Sequence, residues 1–225
     1  MILLVAPEIP ANSNAEHRQL VSSSIFATVI LIMTEVMFFA ALISAYMIIR
    51  SGAEEWPPWG QPRLPVFATA LNSLTLLASA FCLHRSAKVF SSQASQSKRL
   101  LALTIVLGTV FVSVQGYEWV QLISFGLTIT SSTYGGVFYL IIGAHGLHVI
   151  GGLLALLACL RRLNSTSQQL TIDNLRAAQI FWYFVVGVWP ILYTLVYLFV
   201  CIYMCEQLLK FERIRLLVVK VRAIY

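Results

Sequence analysis

Long apolar runs alternate with short polar segments along this chain, and five of the runs are long enough to cross a bilayer. A hydrocarbon core of about 30 Å requires roughly 20 apolar residues in a helix. The runs are continuous rather than alternating, and backbone groups cannot stay unpaired in lipid, so helices are predicted instead of barrel strands. The predicted spans cover roughly residues 25–49, 64–83, 100–127, 134–160 and 177–209.

The segments between the spans are short and polar, which predicts loops within a single membrane domain, residues 1–225. The first loop is rich in proline and contains Trp56 and Trp59, and tryptophan favours the membrane interface. The later loops are predicted at 86–99, 128–133 and 161–176, and a basic tail follows at 210–225.

The composition supports a membrane protein and excludes most soluble folds. Hydrophobic residues make up 59% of the chain and charged residues 11%, with a mean hydropathy of +0.82. Soluble domains average about 45–50% apolar and roughly 25% charged residues. Disordered chains have low hydrophobicity and are excluded by the same figures. The fold class is therefore predicted to be all-α, an integral membrane bundle of five transmembrane helices.

The formal net charge of +6 is concentrated between the spans, where it indicates topology and lipid contact rather than nucleic-acid binding. The loops on the far side from the N-terminus contain Arg50 and Arg63. The positive-inside rule then predicts a cytoplasmic N-terminus and an external C-terminus, in a multi-pass protein of a bacterial-type inner cell membrane. The basic residues on the N-terminal side are Arg18, Arg85, Lys88, Lys98, Arg99, Arg161, Arg162 and Arg176.

Glu35 lies deep in the first span, where an ionisable side chain costs several kcal/mol and usually has a function. An isolated carboxylate at this depth would take up a proton or find a partner. Two interpretations remain open. Glu35 is either a paired or neutral group that fixes helix packing, or a group that handles protons.

His145 and His148 lie on one face of the fourth span, because residues i and i+3 are neighbours on a helix. A rise of about 1.5 Å per residue puts Glu35 and His145 at a similar depth, roughly 15 Å from the cytoplasmic end, so they are expected hydrogen-bond partners. The other histidines are His17 and His84, which gives few metal ligands. Structural hydrogen bonding is therefore favoured over metal or haem ligation.

Other polar and aromatic residues lie in the third and fifth spans. Glu118 lies beside two aromatic residues near the outer end of its span and is expected to be a solvated carboxylate. Replacement of Glu35 is accordingly expected to lower stability more than replacement of Glu118. Pro190 should kink or loosen the fifth span. The candidates for lipid or subunit contact are Gln115, Glu118, Trp182 and Tyr183.

Several motifs occur in the order, and on the spans, that characterise a known family. TEVMFF occupies 34–39, LN and LLASA lie within 71–80, and QGYEW occupies 115–119. YGGVFYLIIGAHGLHVIGG occupies 134–152, and FWYFVVGVWPILYTLVYL occupies 181–198. Together these motifs resemble subunit III of haem–copper terminal oxidases, the cytochrome c and quinol oxidases.

The resemblance implies a non-catalytic core subunit, with no catalytic residue, metal or redox cofactor of its own. Haem and copper would lie in partner subunits I and II, and this chain would pack mainly on subunit I. It would bind phospholipid in a cleft between its helices, support proton and oxygen supply, and protect the complex during turnover. Glu35 would face that cleft or subunit I, in an intramembrane polar network with His145 and His148.

Two features depart from the family pattern. Many members have two further spans before the first span found here, and the loss of a pair leaves the orientation unchanged. The last span of the family usually contains Trp-His-Phe-x-Asp, where this chain has Trp182, Tyr183, Phe184 and Val186. The chain is therefore identified as a short, divergent member.

Two other functions remain open from the sequence. A subunit-III-like partner of a nitric oxide reductase would show the same motifs. A proton-coupled membrane carrier would use Glu35 as a relay, although the sequence shows no internal repeat and only Pro190 as a helix break.

Overall fold

The computed structural model describes residues 22–58, 61–62, 64–165 and 170–202, and every regular element within them is helical. Each of the five long helices is long and apolar enough to cross a membrane, which confirms the all-α bundle of five spans. The elements are α1 (Ser23–Ser51), α2 (Val66–Val89), α3 (Ala94–Ser124), α4 (Thr133–Asn164), α5 (Ile172–Tyr193) and a π-helical segment (Thr194–Leu198) that continues α5.

The α2–α3 connection is much shorter than the polar loop predicted at 86–99, because both helices extend into it. Ser86 donates to the carbonyl of Ser97 at 2.9 Å, and Ser97 donates to the carbonyl of Ser86 at 3.0 Å. These reciprocal bonds satisfy buried hydroxyls between two antiparallel helices, so polar residues continue the helices instead of ending them. Several positions interpreted in the sequence analysis lie outside the described residues; they include His17, Arg18, Trp59, Arg63, residues 203–209 of the fifth span and the basic tail.

Helix α5 lies at the centre of the bundle and packs against α1, α2 and α4. Ser24 at the start of α1 donates to Asn174 at the start of α5 (2.9 Å), and the Tyr46 hydroxyl donates to the carbonyl of Leu195 (3.1 Å), so α1 and α5 are parallel. Within α1 the buried residues are Phe39 and Tyr46. This helix is therefore peripheral, and most of its apolar surface faces outwards.

Trp182 and Trp189 are the largest fully buried side chains, and two glycines make room for Trp182. A Cβ atom at Gly108 would lie 2.9 Å from the indole, and one at Gly152 would lie 2.7 Å from it. The indole nitrogen donates to Ser79 Oγ at 3.1 Å. Trp182 thus connects α5 to α2, α3 and α4 through one side chain.

The predicted disturbance at Pro190 is found as a change of helical geometry just beyond it. Pro190 lies within α5, and the π-helical segment begins at Thr194. Proline has no backbone N–H to donate to the preceding turn, which loosens the hydrogen-bond ladder. The Thr194 hydroxyl donates to the Pro190 carbonyl at 2.8 Å, in the turn that follows the proline.

Candidate functional site

Glu35 forms its intramembrane contact with His148, not with His145 as the depth estimate predicted. The distance from His148 Nε2 to Glu35 Oε2 is 2.8 Å, and the side chains are 18% and 22% exposed, respectively. The prediction of a Glu35–His145 pair was wrong because depth along a helix ignores rotation about its axis. Positions i and i+3 on a helix differ by about 60° in direction, which is enough here to turn His145 into the core and His148 towards α1.

The hydrogen bonds of His148 show how this pair avoids a net charge. His148 Nδ1 lies 2.7 Å from the carbonyl oxygen of Ala144, which only accepts, so Nδ1 carries a proton. The bond between Nε2 and the carboxyl of Glu35 then needs one further proton, on either partner. The pair is either two neutral groups or an ion pair, and in both arrangements its net charge is zero.

His145 points into the aromatic core and is 1% exposed. Its ring stacks on Trp189 at a centroid distance of 5.0 Å and meets the edges of Phe39 and Phe111. Neither ring nitrogen has a hydrogen-bond partner among the residues that the structure describes. The hydrogen-bonding role predicted for His145 is therefore not found, and the imidazole packs as an aromatic ring.

Glu118 is buried, with 4% exposure, so the prediction of a solvated interfacial carboxylate was wrong. Its Oε2 atom accepts from the Thr69 hydroxyl at 2.9 Å and from Gln115 Nε2 at 3.0 Å. Gln115 Nε2 also donates to the Tyr197 hydroxyl at 3.2 Å. Glu118 lies on the face of α3 that packs inwards, whereas its neighbour Tyr117 is 63% exposed.

A signal in the sequence could have located this buried carboxyl. The buried positions of α3 recur every three or four residues, which is the period of one helix face. Glu118 continues this series, and the neighbouring aromatic residues obscured it. The buried positions are Ser97, Leu101, Thr104, Gly108, Phe111, Gln115, Glu118 and Leu122.

Three of the four residues expected to contact lipid or a partner subunit are enclosed by the chain's own helices. Gln115 and Glu118 are 6% and 4% exposed, and Trp182 is fully buried, so this expectation does not fit them. Each of them bonds to a side chain of the bundle instead, which is why it turns inwards. Tyr183 alone of the four remains accessible, at 36% exposure.

Tyr183 belongs to a small polar group that the sequence did not indicate. Its hydroxyl accepts from Gln179 Nε2 at 2.6 Å and lies 3.1 Å from His84 Nδ1. Tyr183 occupies the position at which the family pattern has histidine, and here an imidazole from α2 approaches the same point. A separation of 99 residues hides this contact from sequence patterns.

A groove opens where the start of α1, the end of α4 and the start of α5 diverge. Its volume is about 480 Å³. Its lining combines small residues with polar side chains that include Ser24, Arg162 and Asn174. Small residues leave space between helices, and an arginine at the membrane boundary can bind an anionic group. The small lining residues include Gly151, Ala155 and Ala158.

The described residues contain no group of three or more His, Cys, Asp or Glu side chains arranged to hold a metal ion. The polar groups found within the helices instead form pairs and small clusters between neighbouring helices. These arrangements can fix helix packing, share a proton within the Glu35–His148 pair and provide a cationic side chain, Arg162, at the groove.

Comparisons with known proteins identify the relatives of this fold. The sequence model of the family described as cytochrome c oxidase subunit III matches residues 8–201. The probable cytochrome c oxidase subunit 3 of Mycobacterium leprae is 38% identical over 177 residues, which cover 76% of this chain and 85% of the relative. The cytochrome c oxidase subunit 3 of Synechocystis is 32% identical over 176 residues, with coverages of 77% and 74%.

A third relative, from Nocardia farcinica, is 37% identical over 182 residues, with coverages of 76% and 85%. The family match includes all five helices and the groove, together with both members of the Glu35–His148 pair. This chain belongs to the cytochrome c oxidase subunit III family.

Proposed function

We propose that this chain is a non-catalytic core subunit of a respiratory haem–copper oxidase, in which oxygen reduction is coupled to proton translocation. The family match over residues 8–201 carries the proposal, supported by relatives that are named subunit 3 of cytochrome c oxidase. Haem and copper belong to partner subunits, and subunit I is the main contact of this chain. The exposed apolar surface of its helices is suited to both lipid and such a partner.

Removal of this chain from the purified complex should leave the initial rate of oxygen reduction nearly unchanged, because the redox centres lie elsewhere. Activity should then be lost faster during continuous turnover, because lipid and packing around subunit I are lost. Oxygen consumption recorded for complexes with and without the chain measures both quantities. Equal durability of the two complexes would contradict the protective role. If this chain co-purifies with a complex that contains no haem–copper oxidase subunit, the proposed function is contradicted. The haem type of the purified complex distinguishes an oxidase from a nitric oxide reductase.

The groove at the ends of α1, α4 and α5 is the proposed phospholipid site of this chain. Its apolar lining residues suit acyl chains, and the guanidinium of Arg162 suits a phosphate. Ser24 and Asn174, which also line the groove, join the starts of α1 and α5 through their 2.9 Å hydrogen bond. The groove therefore offers both kinds of surface that a phospholipid needs.

Replacement of Arg162 by glutamine should reduce the phospholipid that co-purifies with the complex, because the headgroup loses its cationic partner. The neighbouring Arg161→Gln is the matched control, since Arg161 does not line the groove. Mass spectrometry of extracted lipid, normalised to protein, provides the measurement. Equal lipid content in the two variants would show that Arg162 does not bind the phospholipid headgroup.

The proposed orientation places the start of α1 and the α2–α3 connection in the cytoplasm. In a variant without the four native cysteines, Ser91→Cys should resist a membrane-impermeant maleimide in intact cells, and Thr130→Cys should react. Both positions are exposed and lie in opposite connections. The reverse labelling pattern would invert the proposed topology.

A further inference from the structure

A buried polar layer lies at the end of the bundle opposite the groove. It consists of Thr69, Gln115, Glu118, Tyr134 and Tyr197, and we call it the Glu118 layer. Each of these residues is at most 6% exposed. They come from the start of α2, the end of α3, the start of α4 and the π-helical segment. The layer contains no member of the Glu35–His148 pair and no residue of the groove.

The hydrogen bonds within the Glu118 layer leave some protons and lone pairs unused. Gln115 Nε2 has two protons and donates them to Glu118 Oε2 and to the Tyr197 hydroxyl. Tyr197 therefore accepts from Gln115, and its hydroxyl also interacts with the Thr69 hydroxyl. Within the part of the chain that the structure describes, no partner is found for Glu118 Oε1, Gln115 Oε1 or the hydroxyl of Tyr134.

The unused groups are complementary in kind. Glu118 Oε1 and Gln115 Oε1 are acceptors, while the hydroxyl of Tyr134 can donate. The rings of Tyr134 and Tyr197 both contact Phe138, with centroid distances of 6.4 Å and 6.0 Å. The unpartnered groups therefore belong to residues of the same buried layer, and a water molecule can donate to the two acceptors and accept from the hydroxyl.

We infer that the Glu118 layer binds one or more ordered water molecules, which bridge Glu118 Oε1, Gln115 Oε1 and the Tyr134 hydroxyl. A buried water typically makes about three hydrogen bonds to groups that would otherwise be unpaired. The layer offers two acceptors and one donor, which matches the capacity of water to donate and accept. The bound water would join α3 to α4, whereas the direct bonds join α3 to α2 and to the π-helical segment.

Radiolytic footprinting of the purified complex tests this site, because hydroxyl radicals formed from a bound water label the side chains beside it. Tyr134 should be modified although it is 1% exposed. Trp182 is the control, since it is fully buried and intrinsically more reactive than tyrosine. Modification of Tyr134 should exceed that of Trp182 several-fold. An unmodified Tyr134, or equal modification of Trp182, would overturn the proposal.

Two substitutions at Glu118 sharpen the test. Glu118→Gln keeps an acceptor at the same position and should retain the labelling of Tyr134. Glu118→Leu has similar volume without polar atoms and should abolish it. Retained labelling in the assembled leucine variant would overturn the assignment of the water to this carboxyl. If the leucine variant does not assemble, the comparison of Tyr134 with Trp182 in the wild type decides the outcome.

Discussion

Replacement of Gly152 by alanine should destabilise this chain strongly, although alanine is the better helix former. The added methyl group would lie 2.7 Å from Trp182 Cε3 and 3.0 Å from Cζ3. The indole is rigid, fully buried and fixed by its bond to Ser79, so it cannot move aside without breaking that bond. Overpacking of this kind costs about 1–3 kcal/mol. The temperature at which half of this subunit has dissociated from the purified complex should therefore fall.

Other glycines of the same bundle provide matched controls for Gly152→Ala. Gly187 and Gly116 have no atom within 4 Å of an added Cβ. Alanine there should be neutral or stabilising, by up to about 1 kcal/mol from helix propensity. Gly108→Ala should also destabilise the chain strongly, because its added Cβ would lie 2.9 Å from the same indole as well as 2.8 Å from the Leu153 side chain. Similar thermal midpoints for Gly152→Ala and Gly187→Ala would show that Trp182 is not tightly packed against Gly152.

The membrane spans could be predicted from the sequence because bilayer thickness imposes a length that few soluble segments share. The ends of the helices could not be predicted in the same way. The first polar residues mark the membrane boundary, whereas a helix continues for as long as its backbone hydrogen bonds are formed. Ser86 and Ser97 show the difference, since polar residues predicted as loop lie inside α2 and α3 and bond to each other.

The identity of the Glu35 partner shows a second limit of one-dimensional patterns. Glu35 was expected to pair with His145 at equal depth, whereas it pairs with His148, because the choice between two histidines on one helix depends on rotation about its axis. The rotation of α4 is set by packing: Val149, Gly152 and Leu156 face the core with His145. His148 therefore faces α1, where Phe38 stacks on its ring at 6.0 Å.

The burial of Glu118 was missed for a related reason. Sequence context assigned it to the interface because Tyr117 and Trp119 flank it, and aromatic residues are common there. Residues adjacent in a helix point about 100° apart, so flanking side chains say little about the environment of the residue between them. The spacing from Gln115 to Glu118 is the informative feature, because it puts both on one face.

Glu118→Ala should lower the stability of the subunit more than Glu35→Ala, which reverses the order expected from the sequence. Loss of the Glu118 carboxyl leaves Thr69 and Gln115 with unpaired polar groups in the closed interior, and each such group costs about 1–3 kcal/mol. Glu35 lies on a peripheral helix, and its loss affects His148, whose Nδ1 bond to Ala144 persists. His148 is also 18% exposed, so its surroundings can rearrange.

The measurement is the fraction of this subunit that remains with the purified complex after mild heating in detergent. Glu118→Gln is the informative control, because it keeps the shape of the side chain and hydrogen bonds to Thr69 and Gln115 while removing the possibility of a negative charge. Retention close to wild type in Glu118→Gln, together with loss in Glu118→Ala, would assign the effect to hydrogen bonding. If the Glu35→Ala complex loses as much of the subunit as the Glu118→Ala complex, the Glu35–His148 pair contributes as much to stability as the Glu118 layer. Burial would then not determine which of the two carboxyls contributes more to stability.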